Sequence, residues 1–194
     1  MPKHVDHDAE RSRLAEAAAT VIAGQGLDAT GLRQVASAAD QTTGALTHYF
    51  TSKAALIEAA YDAVMARLLV RQAELVDGAD PAALAAHLAA FLPGDAASFR
   101  DWRVWLAFSA RALVDETMQA RHRAYYARIT AALAADLAAA GGRDAAVAAD
   151  LLVAALDGLG VRMLLEPGEW PAERVTAILE LLVASMFDKD WRRQ

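Results

Sequence analysis

Hydrophobic positions along the chain recur at the helical period of 3.6, and glycine, proline and short polar runs punctuate them into about nine segments. The first spans about Asp8 to Ala23, with Leu14, Ala17, Ala18, Val21 and Ile22 on one stripe, and is expected to stop at Gly24-Gln25-Gly26. Two short segments follow, about Leu32–Ala39 and Thr43–Tyr49, separated by Asp40-Gln41-Thr42. A longer one starts after Thr51-Ser52 and reaches about Val76, where Asp77-Gly78-Ala79-Asp80-Pro81 interrupts the pattern. Pro81 suits the first turn of the next helix, expected to end near Leu92. The remaining helices are expected at about Phe99–Val114, Glu116–Ala140, Arg143–Leu165 and Pro171–Asp188. The short elements lie before Lys53 and the long, broadly apolar ones after it. The predicted architecture is all-α, with domains at 1–53 and 54–194.

Composition strengthens the helical reading. Alanine occupies 49 of 194 positions, and it forms helix at the lowest entropic cost. With no cysteine, disulfides, thiol nucleophiles and cysteine-bound zinc are excluded. The longest uncharged run, Pro81 to Gly94, is 14 residues, short of the ~20 that a membrane span needs. A soluble, cytoplasmic protein with no membrane partner is therefore expected. Enzyme chemistry finds no support: there is no phosphate-cradling glycine loop, no His-Glu-x-x-His and no Glu-x-x-His pair. His4-x-x-His7 is too meagre for a metal site, and no cofactor is expected. The net charge of −6 argues on its face against nucleic acid, since phosphates are neutralised by Lys and Arg.

The two short helices answer that objection. A three-residue turn between them is the spacing of a helix-turn-helix, whose second helix enters the major groove. Val35, Ala36, Ala39, Leu46 and Phe50 supply an apolar seam, whereas Thr42, Thr43, Gly44, Ala45, Thr47, His48 and Tyr49 are small or polar. Gly44 costs about 1 kcal/mol in a helix relative to alanine, which close approach to a partner would explain. Thr51-Ser52-Lys53 places a cap and a cation at the next helix start, where the dipole favours a phosphate.

The run Arg13-Leu14-x-x-Ala17-Ala18, Gly26-x-x-x-Thr30, Arg33-x-Val35-Ala36 and Gly44-Ala45-Leu46-Thr47-His48-Tyr49-Phe50-x-Ser52-Lys53 resembles the N-terminal domain of the tetracycline-repressor (TetR) family. The resemblance implies a homodimeric transcription regulator that holds double-stranded operator DNA through the residues matching Thr42–Tyr49 and Lys53, with Thr30 and Arg33 as further contacts. Three positions depart from the family pattern: Gly31 where threonine is common, Asp40 where glycine is common, and Thr47 where tyrosine is usual. Trp102-x-x-Trp105-Leu106-Ala107-Phe108, Arg123-x-x-Tyr126 and Asp157-Gly158-Leu159-x-x-Arg162 are similar to the C-terminal domain of the choline-responsive, BetI-like branch. That likeness does not identify the effector.

Trp102, Trp105 and Phe108 fall on one helix face, and an aromatic stripe at this spacing is read as either core or ligand wall. With His87, Phe91, Ser109, His122 and Tyr126 they form the candidate small-molecule site. Leu152, Leu156, Leu159, Met163, Ile178, Leu179, Leu182 and Met186 exceed what one core stripe requires, which predicts a helical homodimer interface. The alternative function is a helical small-molecule carrier or assembly protein with an inert helix-turn-helix. Residues 1–53 hold five basic and six acidic side chains, so DNA binding would rest on placement rather than on total charge.

Overall fold

The computed structural model describes residues 7–73 and 81–187. These residues form nine helices and no strand: α1 (His7–Ala29), α2 (Leu32–Ala38), α3 (Thr43–Thr47), α4 (Lys53–Ala73), α5 (Pro81–Ala89), α6 (Ala96–Ala112), α7 (Glu116–Ala139), α8 (Ala145–Leu165) and α9 (Ala172–Phe187). Val76 and His4 lie outside the described residues.

The helix starts follow from side-chain caps. Thr42 Oγ1 accepts from Ala45 N at 3.0 Å, Ser52 Oγ from Ala55 N at 3.1 Å, and Asp115 Oδ1 from Met118 N at 3.1 Å. Asp95 and Ser98 cap α6 reciprocally, Ser98 N donating to Asp95 Oδ1 at 2.7 Å and Asp95 N to Ser98 Oγ at 3.0 Å. That pair starts α6 three residues before the predicted Phe99. The first helix runs past its predicted end at Ala23: Gly24 stays helical, and Gly26, at φ 79, kinks the helix before a last turn to Ala29. The shorter α3 ends at Thr47 instead of Tyr49.

The chain divides into two compact units. The first contains residues 7–67 and 103–120, so it continues past the expected domain boundary at Lys53. The reason is the apolar face of α4. Leu56, Ala60, Tyr61 and Val64 are buried there, and the Tyr61 ring stacks on Phe108 with centroids 3.6 Å apart. Leu14, Ala18, Ile22, Val35, Leu46 and Phe50 form the rest of this core.

The second unit contains residues 68–73, 81–102 and 121–187. In it α9 packs against α5 and α8, around Leu84, Leu88, Leu137, Leu152, Leu179 and Val183. Trp102 is the central piece. Its Nε1 donates to Phe91 O at 2.7 Å, and its ring lies so close to Gly160 of α8 that an added Cβ would stand 2.1 Å from the indole. Gly160→Ala should therefore force the ring or α8 to move and lower stability by about 1–3 kcal/mol. Chemical denaturation would measure this, and an unchanged midpoint would contradict the packing.

Candidate nucleic-acid interface and ligand groove

The helix-turn-helix forms in the first unit. Asp40 adopts a left-handed conformation, φ 52, which aspartate tolerates better than most residues and which turns the chain from α2 into α3. Gly31 is the extended N-cap of α2. Val35, Ala36, Ala39, Leu46 and Phe50 are all buried, as the seam required.

The side chains read as DNA contacts separate into distinct environments. Arg33, Thr42, Thr43, Gly44, Thr47, His48 and Lys53 are exposed, while Ala45 and Tyr49 are half-buried. Tyr49 packs on the His7 ring, with centroids 4.7 Å apart. Thr30 is wholly buried and its hydroxyl donates to Gly26 O at 2.7 Å, which spends its proton inside the kink of α1. Thr47 Oγ1 donates to Gly44 O at 2.8 Å, so its remaining capacity is as an acceptor. Thr42 Oγ1 accepts from Ala45 N and keeps its own proton available. Gln41, exposed in the turn just ahead of α3, is a further polar side chain beside this surface; its place ahead of a capping threonine is the sequence signal for it.

The cations differ as well. Lys53 Nζ donates to Asp28 O at 2.9 Å, docking the ammonium at the carbonyl end of α1. Arg13 donates to Ala39 O at 3.0 Å and pairs with Glu10 at 2.6 Å; the pairing holds the Glu10 carboxyl below its usual range and raises Arg13 above its own. Arg13 therefore ties α1 to the end of α2. Arg11 stands 5.0 Å over the Phe50 ring. Arg33 has no ion-pair partner among the described residues.

The proposed ligand residues fare unevenly. Trp102 and Phe108 are core, because Trp102 is satisfied by Phe91 and seated on Gly160, and Phe108 is stacked on Tyr61. Trp105 and His87 are half-buried, and His87 meets the Phe91 ring edge-on at 5.2 Å. Ser109 Oγ is buried without a hydrogen-bond partner among the described residues. His122 packs on Tyr126 at 4.3 Å, and burial lowers its pKa. The Tyr126 hydroxyl donates to Asp157 Oδ2 at 2.8 Å, linking α7 to α8. An open groove of about 650 Å³ runs between those helices, lined by Tyr126, Thr130, Asp150 and Asp157 among alanines and Val153. Asp157 is mostly buried, and burial pushes its carboxyl up to about 6 against the lowering effect of the Tyr126 bond.

The predicted interface stripe also divides. Leu152, Leu159, Leu179 and Met186 are buried within the unit, because α8 and α9 use those faces against each other and their neighbours. Leu156, Met163, Ile178 and Leu182 are half-buried. The large apolar side chains left exposed on these helices are Val147, Leu151, Leu165 and Leu181.

Two family models match the chain: bacterial regulatory proteins of the tetR family over residues 14–60, and the BetI-type transcriptional repressor C-terminal domain over residues 81–188. The HTH-type transcriptional regulator BetI of Burkholderia thailandensis is 30% identical over 195 residues, covering 95% of this chain and 98% of its own. A transcriptional regulator from Rhodococcus sp. Rha1 superposes with a TM-score of 0.83 at 32% identity, over 91% of this chain and 95% of its own. A regulator from Saccharomonospora viridis, solved in complex with choline, shares the fold with a TM-score of 0.78 at 23% identity, over 91% and 96% of the two chains.

The burial of Thr30 sets a test. Thr30→Val leaves the Gly26 carbonyl without its hydroxyl partner and should lower stability by about 1–2 kcal/mol. The salt dependence of DNA binding should stay unchanged, as measured by parallel melting and fluorescence-anisotropy titrations; a flatter salt slope would return Thr30 to the phosphate contacts.

Proposed function

We propose a mechanism from the premise that this chain belongs to the TetR family of bacterial transcriptional regulators: it is a homodimeric repressor that a small-molecule effector releases from a palindromic operator. The carrying observation is the exposed α3 face, where Thr43 and His48 stand free, Thr42 keeps a donor proton, and every large apolar neighbour faces the core.

The chemistry of each group suggests its role. Thr42, with a proton to give, suits a phosphate oxygen, and Lys53 and Arg33, both exposed, supply positive charge for the backbone. Thr47, reduced to an acceptor, suits the amino group of adenine or cytosine in the major groove. Thr43, His48 and Gln41 read base edges, and Gly44 keeps the backbone low enough for them to reach. Thr30 is left out because its hydroxyl is spent internally.

Two α3 helices must lie about 34–36 Å apart to enter successive major grooves, so the repressor needs a second copy. The exposed stripe Val147, Leu151, Gly158 and Leu165 on α8, with Ala177, Leu181 and Ala184 on α9, supports a four-helix interface. At Gly158 an added Cβ would meet nothing within 4 Å, which leaves room for a partner helix to approach. An effector acts by preferring the dimer spacing that does not fit the operator, and only that difference in affinity moves the population.

Two measurements test this reading. Lys53→Ala should weaken binding to the DNA upstream of its own gene and reduce the log–log salt slope by about one; an unshifted gel at low salt with the unaltered protein would instead favour a carrier with an inert helix-turn-helix. Leu151→Glu with Leu181→Glu should turn a sedimenting dimer into a folded monomer that no longer retards operator DNA, whereas a persistent dimer would move the interface elsewhere.

A further inference from the structure

The α7–α8 groove combines two features that point to one kind of ligand. Its volume of about 650 Å³ is that of a small-molecule site. Its charged groups are both acidic, Asp150 and Asp157 on α8.

Seven residues separate the two carboxylates, so they share one face of α8 about 10 Å apart along its axis. That distance is far beyond what a single metal ion spans, since even calcium binds oxygen at about 2.3–2.6 Å. Between them the groove is walled by Val153, Ala154 and the alanines of α7, which offer methyl groups and nothing polar except Thr130.

Asp157 is also short of compensation. It receives the Tyr126 hydroxyl, and no Lys, Arg or His pairs with it among the described residues. A mostly buried carboxylate without a counter-charge is costly. The histidine behind Tyr126 does not supply one, because burial disfavours its charged form. A ligand ammonium would complete the arrangement with a charge-assisted bond.

We propose that this groove binds a linear α,ω-diammonium alkane, one ammonium held by Asp157 beside Tyr126, the other by Asp150, with the methylenes lying along the alanines and Val153. A chain of about four to six carbons leaves room for one N–H···O bond of about 2.8 Å at each end. As the effector of the repressor this assignment rests on the function proposed above; as a binding site it stands alone.

Calorimetry on the full chain decides it, with 1,5-diaminopentane as the probe and 1-aminopentane and pentane-1,5-diol as controls. The diamine should bind once per chain, at least about tenfold tighter than the monoamine, with the diol silent. Asp157→Asn and Asp150→Asn should each reduce diamine binding to the monoamine level. Asp150 is exposed, so its variant reports on the site without disturbing the fold. Because the bound form needs an ionised Asp157, whose carboxyl titrates near 6, affinity should fall about tenfold from pH 7.5 to pH 5 and lose that dependence in Asp157→Asn.

Equal binding of amine and diol, or full binding by both variants, would overturn the site. So would a loss of dimer in Asp157→Asn with no amine bound at all, which would give the groove to a second copy. A failure of the unliganded protein to shift operator DNA would sink the repressor reading and leave the calorimetry to judge the groove.

Discussion

The second unit depends on the seating of Trp102 against Gly160. A large ring can enter an alanine-rich bundle only where a side chain is missing, and Gly160 provides that gap on α8. The indole N–H then closes on Phe91 O, tying the end of the α5–α6 connection to the same point. With α8 held there, each of its other faces has a fixed task. Ala148, Leu152 and Leu159 face the interior; Asp150, Val153 and Asp157 face the groove beside α7; Val147, Leu151 and Gly158 face outward. A helix with apolar or small side chains on three faces cannot show a single apolar stripe, and that is why α8 reads as hydrophobic nearly all round.

Charge in the first unit is governed by a similar economy of placement. The chain carries −6 overall, and the cations near the helix-turn-helix are few. Arg13 is occupied by Ala39 O and Glu10 and works as a brace between α1 and α2. Lys53 rests on the carbonyl of Asp28, an arrangement that also orients its ammonium. Arg33 is left without an ion-pair partner among the described residues, so the contacts proposed for the operator combine few cations with hydroxyl groups.

Much of this was legible in the sequence, for reasons that can be traced to particular residues. The helix-turn-helix seam was readable because Val35, Ala36, Ala39, Leu46 and Phe50 alternate sharply with polar neighbours over a short span. The left-handed turn at Asp40 and the cap at Gly31 follow from the few residues that tolerate those positions. What the pattern could not separate was one buried face from another. Leu152 and Leu179 looked like interface and are core, while Leu151 and Leu181, one or two positions away, are exposed. Thr30 misled for a related reason: a hydroxyl near a helix start reads as a phosphate donor, and only the kink at Gly26 reveals that its proton is already used. The helix kink itself arose from a glycine that the pattern read as a stop.

Asp157 shows what lies beyond any pattern. In sequence it enters only as one position of the Asp157-Gly158-Leu159 likeness, among 25 acidic residues in a chain of net negative charge, and nothing there separates a buried acid from a solvated one. Its meaning comes from three facts that exist only after folding: it is mostly buried, a tyrosine from another helix reaches it, and no cation does. The Tyr126 hydroxyl offsets part of the desolvation and lowers the carboxyl's affinity for a proton, yet burial outweighs it and leaves the group titrating near 6. At neutral pH the protein thus holds an ionised carboxylate in a partly dry wall. A buried carboxylate with no counter-charge costs stability, and a cation brought to it would offset that cost. The second carboxylate two turns away, on the same face and in the same groove, is what gives the diammonium proposed for this site its length.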